Sequence, residues 1–395
     1  MQSVADALRA VLGHVPKLAS EIVPLGGARG RVLVADVTAG RPSPGFDNSA
    51  MDGYAARATD LPGRLRLVGA SVAGGAFAGE VAAGTCVRIL TGAPVPPGAT
   101  TVVMQEDARV DGDHVVLPAA PVGAHVRRRG EDIAVGEPVL AAGTRLTAWH
   151  LGVLAALGCA RIEVTRAPRV ALIATGDELV EVDVEPGPGQ LVDSSAWALA
   201  GVIEEAGGIP TRLGIAKDEL SALRPLIAAA LEYDAVITTG GVSVGDRDHV
   251  HAALADAGIQ LALWKVAMKP GKPFSFAARG RVPIFGLPGN PVSTLVAAEL
   301  FVRPALLAMQ GALVVERPRA WAVLSERYAK QPGRAHYLRA HVARDGERLV
   351  ATPHAKQGSA MLSSLIGSNG LVELAAELGD VAAGTAVPVI LLEAV

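Results

Sequence analysis

From Pro168 to Met309, short apolar runs alternate with longer segments of helical period. In order they are RVALIAT, SAWALAGVIEEAGG, PTRLGIA, ELSALRPLIAAALEY, DAVITTGG, RDHVHAALADAG, LALWKVAM, VPIFGLPG and PVSTLVAAELFVRPALLAM. Strands separated by helices are joined by crossovers, pair mainly in parallel and need cover on both faces. The alternation therefore predicts an α/β domain over residues 168–314 with a mainly parallel sheet. Three turns, Thr175-Gly176-Asp177-Glu178, Lys217-Asp218-Glu219 and Gly240-Gly241, each follow a predicted strand. They should gather at the carboxyl edge, where open α/β sheets bind ligands. Asn290 and Pro291 suit the N-cap and first position of the next helix, whose positive end either faces a phosphate or is simply well capped.

Within this domain two glycine-rich turns, TTGGVSVGDRD and GLPGNPVS, flank a lysine cluster, KVAMKPGKP. Thr239, Gly240, Gly241 and Gly245 would let backbone N–H groups approach an anion unobstructed. Asp246 and Asp248 follow immediately. Carboxylates beside a phosphate repel it unless a divalent cation bridges them, which points to magnesium held jointly by aspartate and substrate oxygens. Lys265, Lys269 and Lys272 supply the balancing positive charge. Taken singly, each piece has a plain structural reading: a tight turn, an N-cap, a solvated lysine face. Their convergence in one segment favours a phosphate-handling site.

Outside the α/β segment the pattern changes. Residues 3–13 carry a helical period after Ser3, a candidate N-cap, and LTAWHLGVLAALG (146–158) reads as a helix stopped by Gly158. Between Glu21 and Gly158, short runs such as RLRLVGASV, TCVRIL and HVVLP indicate an irregular β-rich region, with a hairpin at Asp111-Gly112. Beyond Glu316, short strands return around a hairpin at Asp345-Gly346, predicting a small C-terminal β domain over 315–395.

Length sets a prior of about two to four domains, since 395 residues exceed what one core sustains. Hydrophobic residues make up 50% and charged ones 19%, which excludes general disorder, and no apolar stretch reaches the roughly 20 residues needed to span a bilayer. With an N-terminus lacking the pattern of a secretory signal, the expectation is a soluble cytoplasmic protein without membrane partners. Cys86 and Cys159 offer neither a disulfide framework nor a metal site and are expected as buried small apolar side chains. A net charge of −3 and 4% aromatic residues argue against a nucleic-acid surface. His249 and His251, two apart on a predicted helix, point to different faces and do not suggest zinc.

Seven segments together resemble the MoeA family of molybdopterin molybdotransferases, which includes the C-terminal domain of gephyrin. They are FDNSAMDGYA (46–55), RILTGAPVPPGATTVVMQED (88–107), RGEDI (129–133), VALIATGDEL (170–179), TTGGVSVGDRD (238–248), MKPGKPFSFA (268–277) and GLPGNPVS (286–293). The resemblance implies an elongated multidomain chain. Residues 1–45 and 134–167 would form a discontinuous linker and dimerisation domain, with helix 3–13 able to pack on the α/β domain, and 46–133 an inserted β-rich domain. It implies a homodimer with shared sites, and a Mg²⁺-dependent reaction of adenylylated molybdopterin with molybdate to give molybdenum cofactor and AMP. A separate adenylyltransferase would supply the substrate.

On that resemblance the candidate catalytic residues are Asp52, Thr91, Glu178, Asp218, Asp248, Lys265 and Lys269. Substrate contacts fall to Thr175, Gly176, Asp177, Gly240, Gly241, Ser243, Gly245, Lys272, Pro288, Asn290 and Ser293, and metal ligation to Glu178, Asp246 and Asp248. Arg339 and Ser359 are the candidates for molybdate, a tetrahedral dianion. Asp52 and Thr91 would reach the site from the partner subunit. In GQLVDSS (189–195) this chain has Ser195 where the family usually has Asn, which shortens any contact made there. The competing readings are a peptide-binding scaffold without catalysis and a nucleotide hydrolase sharing only the α/β domain. Retention of the acidic and lysine set argues against the first, and the motifs at 46–55 and 88–107 against the second. Tungstate in place of molybdate stays open, the two oxyanions being alike in size and charge.

Overall fold

The computed structural model describes residues 1–241, 249–393 and 395. At its centre lies a six-stranded sheet in the order Ile209–Ala216, Arg169–Thr175, Ala235–Thr239, Val282–Leu287, Ser275–Arg279, Leu261–Trp264. The first four strands are parallel, and Ser275–Arg279 runs antiparallel to both neighbours. The apolar runs are continuous because both faces are covered. Val170, Leu172, Ala235 and Ile237 pack under the helix Ser195–Glu205 and the long helix starting at Pro291, while Ala171, Ile173 and Val236 pack under Leu220–Ala230 and His249–Asp256.

The N-terminal helix Val4–Leu12 begins as its sequence predicts, with Ser3 Oγ accepting the Asp6 N–H at 3.1 Å. Its Ala7 and Val11 are fully buried in the same core as Phe301 and Leu306, so this helix packs on the α/β domain. The helical stretch Pro291–Met309 contains a wider π-type turn at Ala298–Val302. At 19 residues it is long and apolar enough to cross a membrane, but 83% of it is buried, which makes it a core helix of this fold.

Two-stranded pairings tie the early chain to the segment before the central domain. Ser20–Pro24 runs antiparallel to Arg161–Thr165, and Val37–Thr38 to Pro138–Leu140. Between these pairings a separate six-stranded sheet forms, in the order Thr101–Met104, Gly53–Ala56, Thr85–Ile89, Gly63–Ser71, His114–Leu117, Arg109–Asp111. The Asp111-Gly112 turn closes its last hairpin, with Gly112 at φ 64°. Cys86 lies fully buried there, its thiol pushed up to about 11 by burial; Cys159 is half-buried, not the core residue expected.

The C-terminal strands close into a small barrel: Ala335–Asp345, Arg348–Pro353, Arg319–Leu324, Ala386–Leu391, Gly370–Leu374, and back to Ala335–Asp345. One further pairing positions the site. Met268–Lys269, from the lysine segment of the α/β domain, runs parallel to the start of the barrel strand, Lys269 opposite His336. A second joint is Arg317, whose guanidinium bonds Glu299 and Glu205, each at 2.9 Å, and the Leu392 carbonyl at 3.0 Å.

Candidate active site between the α/β domain and the barrel

The strands Arg169–Thr175 and Ala235–Thr239 end side by side, where Thr175 Oγ1 donates to the Thr239 carbonyl at 3.1 Å. Here Gly240 serves a different purpose from the one expected. The Gly240 N–H donates to the Leu287 carbonyl (3.1 Å) and the Gly176 N–H to the Ala216 carbonyl (3.2 Å), so both amides are spent on the protein. Gly240 sits at φ 81°, and a Cβ there would lie 2.5 Å from the Thr175 carbonyl oxygen. Close approach of strand ends, not an anion, requires that glycine.

Above these ends opens a cleft of about 660 Å³. Glu178, Asp193, Ser195, Asp218, Pro288 and Asn290 are on its walls, with Thr175, Gly176, Gly240 and Gly241. Asp177 Oδ1 accepts the Asp218 N–H at 3.1 Å, and the Glu178 carboxylate folds back over Gly176. Partial burial raises the Asp218 pKa, and the charges of Asp177 and Glu178 raise it further, with His249 opposing. Such mutual repulsion is what a cation relieves. Among the described residues no group of three or more His, Cys, Asp or Glu side chains is set to hold a metal. Magnesium does not need one, since it is commonly held by one or two carboxylates plus substrate phosphates. Glu178 and Asp218 fit that partial donor set. Ser243, Gly245, Asp246 and Asp248 lie outside the described residues.

Across Pro273 and Asn290, which line both, lies a second chamber of about 490 Å³. Lys269, Lys272 and Ser293 reach it from the α/β domain, and Arg334, Gln357 and Ser359 from the barrel. The barrel loop also closes the long helix, because the Ser359 carbonyl accepts the Val292 N–H at 3.1 Å. Asn290 is at the N-cap and Pro291 at N1 as expected, but the Asn290 side chain makes no capping bond. Lys265 lies apart from the described walls of both chambers; it is half-buried at φ 65°, its N–H donating to the Phe274 carbonyl at 3.0 Å.

Arg339 requires a correction. It is 1% exposed, and its guanidinium donates to Ser364 Oγ at 3.1 Å and to the carbonyls of Lys356 and Gly358 at 3.2 Å. It holds the loop that carries Ser359 and does not line the chamber. The arginine that does is Arg334, which sequence reasoning missed; its signal was its place just after Gly333, at the edge of the strand that receives Met268–Lys269. Two residues further on, His336 is buried and pushed down to about 4 by burial and by Lys269, Lys330 and Arg334.

Asp52 and Thr91 lie together on the inserted domain. Asp52 Oδ1 accepts both the Thr91 N–H (2.7 Å) and its hydroxyl (2.8 Å), which hold the Asp52 pKa low. Neither is among the residues lining the cleft of the same chain.

An α/β cleft at the carboxyl edge of a parallel sheet, bordered by a β barrel, with carboxylates lining one chamber and cations the next, marks a multidomain protein of the class that binds ligands at that edge. Three family models match in succession: MoeA N-terminal region (domain I and II) over 2–158, probable molybdopterin binding domain over 171–308, and MoeA C-terminal region (domain IV) over 321–392. The chain belongs to the MoeA family, transferases of molybdenum cofactor biosynthesis. It is similar to molybdopterin molybdenumtransferases of Nostoc (41% identity; 79% of this chain, 75% of that protein) and Haemophilus influenzae (37%; 94% and 93%). It also resembles the crystal structure of a molybdopterin biosynthesis MoeA protein from Pyrococcus horikoshii, with a TM-score of 0.86 at 32% identity over 99% of this chain and 100% of that one.

Proposed function

We propose that this protein performs the molybdenum insertion step: adenylylated molybdopterin and molybdate give molybdenum cofactor and AMP. The observation that carries the reading is the adjacency of the two chambers. A phosphoanhydride placed in the carboxylate cleft would lie beside a cationic chamber suited to a tetrahedral dianion, with Pro273 and Asn290 between them. Lys269, Lys272, Arg334 and Ser359 are the residues we assign to molybdate, Arg334 taking the place first given to Arg339. Magnesium, held by Glu178 and Asp218 together with substrate oxygens, would neutralise the phosphoanhydride's charge. Lys269 and Lys272 would steady negative charge as the adenylyl–phosphate bond breaks, with no covalent nucleophile needed.

We further propose a cytoplasmic homodimer in which Asp52 and Thr91 of one subunit complete the cleft of the other, and a separate adenylyltransferase as substrate donor. The Asp52–Thr91 pair supports this: it presents an ionised carboxylate away from its own chain's cleft. The test is AMP release from adenylylated molybdopterin by the purified protein, with molybdate and Mg²⁺ each supplied or omitted. Release that requires both, with molybdenum ending on the pterin, is expected. Release indifferent to molybdate would mark a hydrolase, and no release from authentic substrate a scaffold.

A further inference from the structure

We propose that Asp193 and Ser195 orient the substrate by reading the donor edge of a 2-amino-4-oxopyrimidine ring, the edge a pterin presents; this rests on the function proposed above. Both residues line the carboxylate cleft, and both are nearly buried, at 3% and 6% exposure. Asp193 is fixed in place: its N–H donates to the Val180 carbonyl at 2.9 Å, and its Oδ1 accepts the Ala196 N–H at 3.1 Å at the start of the helix Ser195–Glu205. Its other carboxylate oxygen accepts no hydrogen bond among the described residues, and the Ser195 hydroxyl makes none either. Both groups are open to the cleft and have no protein partner there among the described residues, so they are available to a ligand that supplies the missing bonds.

The chemistry of the pair narrows the ligand. A carboxylate only accepts, so it rejects another anion, and Asp193 already occupies the helix end that would otherwise draw a phosphate. Adenine offers a single amino donor beside a ring-nitrogen acceptor, which would face the carboxylate lone pairs. A pterin offers a ring N–H and an adjacent amino group, two donors side by side. Leu179, Leu191 and Leu362 line the same cavity and suit the faces of a flat ring. The Ser195 hydroxyl, able to donate or accept, can take a neighbouring ring atom.

The test is equilibrium binding of molybdopterin and, separately, of AMP to the wild-type protein and to Asp193→Asn, Asp193→Ser and Ser195→Ala, with thermal midpoints as a folding control. Asp193→Asn keeps an oxygen for the Ala196 N–H and puts an N–H donor where the free oxygen was. It should weaken molybdopterin about tenfold or more while leaving AMP unchanged, with a smaller loss in Ser195→Ala. Should Asp193→Asn fail to fold, Asp193→Ser, which retains a short capping oxygen, carries the same expectation. Unaltered molybdopterin affinity would reduce Asp193 to a helix cap, and a selective loss of AMP would place adenine at this edge. A wild-type protein that binds no molybdopterin would overturn the functional reading itself, an outcome distinct from either.

Discussion

The two chambers of the site are built in opposite ways. The carboxylate cleft is mostly the work of one domain: strand ends stitched by Thr175 to Thr239 and Gly240 to Leu287 set Glu178 and Asp218 near each other, and burial, then like charge, raises Asp218. The cationic chamber is assembled at a joint, where Lys269 is held by pairing with a barrel strand, and Arg334 and Ser359 arrive from the barrel itself. The contrast suggests that damage to the cleft should act on chemistry directly, whereas damage to the chamber can act by loosening the joint.

The largest effects should separate these roles. Lys269→Ala should lower turnover by about 10²- to 10³-fold, the scale for removing one group that stabilises developing charge, with the fold intact. Asp218→Ala should fall somewhat short of this and raise the Mg²⁺ concentration needed for half-maximal rate. Turnover unchanged in both would remove these residues from the mechanism.

Next come the two arginines. Arg339→Met strands the carbonyls of Lys356 and Gly358 and should cost about 3 kcal/mol of stability by denaturant unfolding. Arg334→Ala should leave stability nearly unchanged and raise the molybdate KM about tenfold. If Arg339→Met proves stable but defective in molybdate use, the assignment of the two arginines is reversed.

The smallest effect is a difference in pH response. Asp218 is raised above 3.8, so the native protein retains a proton that the unfolded chain has lost, and its contribution to stability declines as pH rises from 3.8 through the raised value. His336 is lowered from 6.5 to about 4, so the unfolded chain takes up a proton that the native imidazole refuses, and stability falls as pH drops through that interval. Asp218→Asn and His336→Gln should therefore flatten the stability profile from opposite sides, as followed by thermal midpoints against pH. Parallel changes in both variants would show that Asp218 and His336 do not act on stability with opposite signs.

Much of this organisation was legible in the chain. The helix–strand alternation from Pro168 pointed to a mainly parallel sheet, and with it the gathering of Thr175, Asp218 and Gly240 at one edge, because crossover connections permit little else; the antiparallel strand Ser275–Arg279 was not read from that alternation. Hairpins at Asp111-Gly112 and Asp345-Gly346 followed from turn chemistry alone. What the sequence determined, then, was which faces are buried and where the chain turns, since both are written in local periodicity and in glycine's tolerance of positive φ. The tertiary structure decided how the polar groups are spent. Whether the Gly240 N–H meets a ligand or Leu287, whether Arg334 or Arg339 faces the chamber, and whether Asp193 keeps a free oxygen all depend on partners brought close by folding. No local pattern encodes such contacts, because a hydrogen-bonding group is defined by what stands opposite it in space.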